Sequence, residues 1–301
     1  MARDHVEAVA ELHRIYGDEG IELAASTPFD LSEINGALDG LGINARSPDE
    51  SLPSPLAELV GAVRTSAGKR QLRRLIDDAL AEPPGQVDAA VMEQMVSPFT
   101  WLLNRVGDGG ITLTSAGYLP PAYVAAAMTD LGLREEWPGE GNRENLTIPI
   151  LHLRESATKM GLLRKHRGRL VLTARGRSAT ADPSALWQQL AERMPVRSAD
   201  AAETQAGLLL LVALAAQSTD DVAEISAHFL GAMDWASSDG TPLSGSTAGQ
   251  AAWDTRTVLA RLGAFARLGA VREWRDDWAA QLAPAGLAFV RAALRTWPSH
   301  P

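Results

Sequence analysis

Between Ser156 and Ala181 the chain carries seven cationic side chains and no Asp or Glu. They are Lys159, Arg164, Lys165, Arg167, Arg169, Arg175 and Arg177, with His166 among them. On a protein of formal net charge −9 this is a concentrated positive patch. Guanidinium groups offer planar forks of donors that match phosphate oxygens two at a time, and neutralising a nucleic-acid backbone releases its counterions. The chemistry these residues can do is anion binding.

Residues for other chemistry are sparse. His5, His13, His152, His166, His228 and His300 are scattered, and none pairs with an acid at metal-ligand spacing. The doublets Asp77-Asp78, Asp220-Asp221 and Asp276-Asp277 read as helix caps or solvated faces. Gly107-Asp108-Gly109-Gly110 lacks the Gly-Lys-Ser/Thr of a phosphate loop and reads as a turn. No nucleophile elbow is present. The absence of cysteine removes disulfides, zinc-thiolate sites and thiol catalysis. No catalytic residue, metal site or cofactor is therefore expected. A hydrolase with carboxylates gathered from separate helices stays open, because such a site needs no local spacing.

The elements that must hold the cations are marked by a phrase written three times: Leu113-Thr114-Ser115-Ala116-Gly117, Leu172-Thr173-Ala174-Arg175-Gly176 and Leu282-Ala283-Pro284-Ala285-Gly286. Each reads as a strand end, a small helix-starting residue and a glycine in the first turn. Ahead of the second and third copies lies an amphipathic stretch ending in glycine, then a charged hairpin. Helix, two-stranded wing, helix is the order of a winged-helix module. The expected fold is mostly α: two tandem winged-helix modules with short β-hairpin wings, preceded by an N-terminal helical domain.

The N-terminal helical domain covers residues 1–86, with a helix over 56–80, and carries 8 basic against 15 acidic residues. Module one covers 87–198: an opening helix over 91–106, a strand at 111–113, a second helix over 120–131, a third capped by Thr147 and running to Met160, the wing, and a last helix over 183–194. Module two covers 199–301. Its opening helix, over 203–216, is apolar nearly all round and predicts burial on more than one side. A second helix spans 221–235, a third starts at Thr247 or Gly249 after a loop, and a hairpin through 271–282 precedes the final helix.

The run from Ile111 to Met194 adds Leu146-Thr147 before the third helix, Gly161-Leu162-Leu163-Arg164 into the wing, and Asp182-Pro183 with Ala185-Leu186-Trp187 at the end. It resembles a helical region recurring in uncharacterised bacterial proteins, including plasmid ORF-type passengers of mobile elements. The likeness extends over the C-terminal two-thirds of the chain, implies the fold, and brings no catalytic or ligand residue with it.

With 46% apolar and 22% charged residues the chain reads as globular rather than disordered. The opening Met1-Ala2-Arg3-Asp4-His5 carries no apolar signal-peptide core, and the most apolar run, 207–216, falls short of the roughly 20 residues of a membrane span. A cytoplasmic protein with no membrane partner is expected. Arginine far outnumbers lysine, which occurs only at positions 69, 159 and 165, and this suggests a GC-rich bacterial source.

Two functions compete. In the first, a non-enzymatic DNA-binding regulator or accessory factor contacts duplex phosphates through the wing of module one, while His152, Glu155, Ser156 and Lys159 face the bases. In the second, the modules form a protein-interaction or dimerisation scaffold, and the wing arginines pair with acidic protein surface. Trp274 and Trp278, in a wing that also bears Asp276 and Asp277, suit a protein contact or pack on their own module. A second basic run, Arg64, Lys69, Arg70, Arg73 and Arg74, reads as an ordinary charged helix face with Asp77.

Overall fold

Ten consecutive residues, Ala206 to Ala215, are buried on one helix, and the rest of the chain is arranged to cover them. The computed structural model describes residues 52–135, 137–180, 182–266 and 281–297. Those from Pro53 onward belong to one compact unit. The expected helices before residue 52 and the second hairpin, with Trp274 and Trp278, lie outside the described residues.

Twelve α-helices and a three-stranded antiparallel sheet make up the described residues. In chain order they are α1 (Ser54–Ala62), α2 (Ser66–Leu80), α3 (Ala89–Val106), β1 (Ile111–Thr112), α4 (Pro121–Asp130), α5 (Ile148–Lys159), β2 (Leu163–His166), β3 (Arg169–Leu172), α6 (Ala174–Ala179), α7 (Pro183–Ala191), α8 (Ala201–Ala215), α9 (Val222–Ala232), α10 (Gly245–Ala251), α11 (Trp253–Arg261) and α12 (Pro284–Ala293). The mostly helical character expected from the sequence holds.

Short polar side chains set many of the helix starts by accepting from orphan backbone N–H groups. Thr65 accepts from Gly68, Thr173 from Gly176, Asp182 from Ser184, Asp200 from Ala202, Asp221 from Ala223 and Ser244 from Thr247. Two of these caps correct expected boundaries. The single helix over 56–80 is divided, because Val63 leaves the helical conformation and Thr65 caps a new start. The third helix of the second half begins at Gly245 under Ser244 and is itself broken at Ala252, between α10 and α11. Thr147 precedes α5 as expected, but it is buried and its side chain makes no capping bond.

The sheet runs β1-β3-β2. Leu163 faces Leu172, His166 faces Arg169, and Ile111 faces Leu170. Leu163, Leu170 and Leu172 are buried while Arg164, Lys165, His166 and Arg169 are exposed, so the hairpin is anchored by leucines and lined by cations. Its turn places Arg167 and Gly168 at φ 49° and 72°, both left-handed, which matches a two-residue hairpin.

The repeated phrase has one structural meaning in its second and third copies. Thr173 N–H donates to Leu162 C=O at 3.0 Å, and Ala283 N–H donates to Ala264 C=O at 2.9 Å. A Cβ on Gly176 would collide with that Leu162 carbonyl, and one on Gly286 with that Ala264 carbonyl. Gly176 lets a helix start press against the backbone entering the hairpin, and Gly286 lets another press against Ala264. An antiparallel bridge joins Phe265 to Leu282. The first copy differs. Gly117 lies in a turn closed onto Thr114, and no helix starts until Pro121, because Pro120 is extended and Pro121 supplies the first helical position.

Helix α8 packs on α2, α9, α10, α11 and α12, so helices from both ends of the described chain share its core. Helix α3 packs on α5, α6, α7 and β3. The two groups meet where Trp187 of α7 stands edge-on to Phe289 of α12, with ring centroids 5.2 Å apart. Beyond α12, Arg295 donates to the Leu80 and Glu82 carbonyls, both at 2.7 Å. Between α4 and α5, Glu144 is fully enclosed. It accepts from Arg154 and from Leu119 N–H, which fixes where α5 begins.

Leu211 has no exposed surface, whereas Leu146 is 61% exposed. Leu211→Ala is expected to cost about 2–5 kcal/mol in urea unfolding, and Leu146→Ala less than about 0.5 kcal/mol. Equal effects would show that α8 is not the centre of the core.

Candidate anion-binding surface

The hairpin buries its leucines and leaves its cations exposed. Leu163, Leu170 and Leu172 point inward, while Arg164, Lys165, His166, Arg167 and Arg169 stay in solvent. Two of the cations are held in place. Lys165 Nζ donates to Gly117 C=O at 3.0 Å. Arg169 donates to Thr112 Oγ1 at 2.8 Å and to the Gly109 and Gly110 carbonyls at 2.5 and 3.1 Å. Those partners are neutral, so both charges remain uncompensated. Arg164, Arg167 and His166 have no side-chain partner among the described residues. On α6, Arg177 donates to Leu172 C=O at 3.2 Å, and Arg175 is exposed. Among the described residues no carboxylate pairs with any of these six Lys and Arg side chains, so the positive field of the hairpin stays open to solvent.

The helix expected to present His152, Glu155, Ser156 and Lys159 is placed differently. Helix α11 lies along α5. The His152 ring stands edge-on to Trp253 at 5.6 Å, Lys159 Nζ donates to Asp254 Oδ2 at 2.5 Å, and Ser156 is 3% exposed. Of the four, only Glu155 and Lys159 are exposed, and the Lys159 charge is neutralised. The expectation of an open face is corrected because Trp253 and Asp254 complement His152 and Lys159. Burial, helped by the Arg261 charge and more weakly by Lys159, pushes the His152 pKa down to about 4, against an opposing pull from Asp254. The imidazole is therefore neutral at physiological pH.

Of the second basic run, Lys69, Arg70, Arg73 and Arg74 lie on α2, whereas Arg64 precedes that helix. Arg64 pairs with Asp234 at 2.7 Å and Arg73 with Asp77 at 2.8 Å. The hairpin reading missed Arg193 and Arg197, which follow α7. Among the described residues no three His, Asp or Glu side chains converge on a metal position. No helix among them is long and apolar enough to cross a membrane.

The His152 shift has a direction that can be measured. An unfolded histidine titrates near 6.5, so between about 4 and 6.5 the unfolded chain binds a proton that the native chain does not. The contribution to stability is complete above this window and is lost as pH falls through it. Urea midpoints at pH 7.5 and pH 5 should differ more for the wild type than for His152→Gln. An identical pH dependence would show that α11 does not enclose the ring. Protein-family models, curated proteins and solved structures give no match to this chain, so the surface itself carries the functional argument.

Proposed function

We propose that the chain is a non-enzymatic DNA-binding protein, a regulator or accessory factor, that contacts duplex phosphates through the hairpin of its first module. The observation that carries this reading is the exposed hairpin, with cations on both strands and no carboxylate among the described residues paired to any of them. The order α3, β1, α4, α5, β2, β3, with strands arranged β1-β3-β2, supports a winged-helix module in which this hairpin is the wing. The shared joint at Gly176 and Gly286 supports a second module of the same plan. The likeness to plasmid ORF-type passengers of mobile elements belongs to the same proposal, as does a cytoplasmic location.

Because α11 covers α5, the binding mode is phosphate contact by the wing rather than base reading by the third helix. Backbone contacts position a protein on a duplex but carry little sequence information, so weak discrimination between sequences is expected. A second reading, a protein-interaction or dimerisation scaffold, is favoured by one specific observation. The helix that usually enters the groove is engaged in an internal contact through His152–Trp253 and Lys159–Asp254.

Arg164 and Arg167 hold no structural contact among the described residues, so the double variant Arg164→Ala/Arg167→Ala isolates their charge. Fluorescence anisotropy on a labelled duplex at low salt is expected to show weaker binding. The slope of log K against log salt should flatten by roughly 0.9 for each phosphate that is no longer neutralised. Wild-type affinity and slope in the variant, with a stable dimer on gel filtration, would transfer the function to the scaffold.

A further inference from the structure

Two arginines outside the hairpin converge on one glycine, and a third lies near one of them. Gly161 ends α5 at φ +71°, and a Cβ there would lie 3.3 Å from Arg175 Nη1 and 3.4 Å from Arg193 Nη2. The guanidinium of Arg175, from the first turn of α6, thus meets that of Arg193, from the segment after α7. Arg197 is close enough to act on Arg193 as a further like charge. The side chain of any larger residue at position 161 would occupy the space in which the two forks meet.

Like Arg164 and Arg167, these arginines lack acceptors among the described residues, but Arg193 is half-buried. Elsewhere the protein provides partners for its partly buried arginines: Glu144 for Arg154, Glu82 for Arg291, and the Leu80 and Glu82 carbonyls for Arg295. Arg175, Arg193 and Arg197 have no hydrogen bond from their side chains and no ion pair among the described residues. Each guanidinium carries five N–H donors in a fixed plane. Burial, with the Arg175 and Arg197 charges, holds Arg193 below its ordinary pKa, and no carboxylate acts in the opposite sense. The α5 C-terminus offers a partial negative charge that favours cations beside it, yet none of its carbonyls accepts from the three side chains.

We propose that Arg175 and Arg193 form a binding site for a phosphate group, held across Gly161 at the end of α5, with Arg197 adding positive charge nearby. A tetrahedral oxyanion accepts from several forks at once and cancels their repulsion, which an isolated carbonyl does not. The phosphate is either a free ion or one unit of a nucleic-acid backbone. The site uses none of the hairpin cations and stands or falls separately from them.

Thermal unfolding in sodium phosphate against sodium chloride, at equal pH and ionic strength, tests it. Phosphate strengthens burial in any protein, so the readout is the difference between variants. At a hundredfold excess over Kd the wild type should unfold about 5 °C higher than in chloride. Arg193→Gln should abolish that increment, and Arg197→Gln, whose exposed position spares the fold, should reduce it. Arg164→Ala/Arg167→Ala should keep it. Duplex binding separates the two sources. A salt slope flattened by roughly 0.9 in Arg193→Gln assigns the site to a backbone phosphate, and an unchanged slope with the thermal increment abolished assigns it to the free ion. If Arg193→Gln and Arg197→Gln keep both the wild-type phosphate response and the wild-type slope, the proposal is overturned.

Discussion

A helix that is apolar on every side has to be enclosed on every side, and α8 imposes that condition on this chain. Leu208, Leu209, Leu210, Leu211 and Val212 leave no strip of its surface fit for water, so the helix cannot lie on the outside of anything. Five helices surround it, drawn from residues 66–80 and from the whole second half. Each fully buried leucine removes about 1.5–3 kcal/mol of unfavourable exposure, far more than any surface ion pair nearby can offer. The remaining elements take the positions that α8 leaves for them.

Around that centre, the hairpin gains its freedom by a local device. Thr173 returns the chain to the Leu162 carbonyl that precedes the hairpin, and Gly176 lets the next helix sit against it. The first hairpin is thus tied at its base, while among the described residues its outer cations reach back only to the turns flanking β1. Lys165 and Arg169 reach back to Gly117, Gly109 and Gly110, which stiffens the hairpin without cancelling its charge, since carbonyls are neutral acceptors. On an acidic protein, cations held in this way create a local field whose sign is opposite to that of the whole molecule.

Much of the local structure was legible in the sequence because it depends on local rules. Thr173 and Asp182 announce helix starts, Arg167-Gly168 announces a tight turn, and the apolar run from Gly207 to Ala216 announces burial on all sides. The failures share a cause. Ser156 reads as the open side of a helix until Trp253, about a hundred residues later, is known to lie against that helix. The break at Val63 is secured from far along the chain, where Arg64 N–H donates to Ala232 C=O, and locally only the Thr65 cap marks it. Arg193 and Arg197 look like two dispersed surface charges, since nothing local says that Gly161 brings Arg175 to them. Pairings between distant segments carry no periodicity of their own, and those are the features that decide the site.

The contact between α5 and α11 illustrates how the core governs the surface. Lys159 and Asp254 are 45% and 32% exposed, so their pair contributes at most about 1 kcal/mol and could not hold two helices together. Helix α11 is fixed from its other side. Thr255 is buried, accepts from Val196 N–H at 3.1 Å, and packs so close to Gly207 of α8 that a Cβ there would collide with it. Lifting α11 away from α5 would therefore expose part of α8 and leave the Val196 N–H unpaired, a cost set by the core and not by the ion pair. The covered face of α5 is accordingly a permanent feature rather than a gate. The hairpin cations lie on a part of the chain that α8 does not constrain.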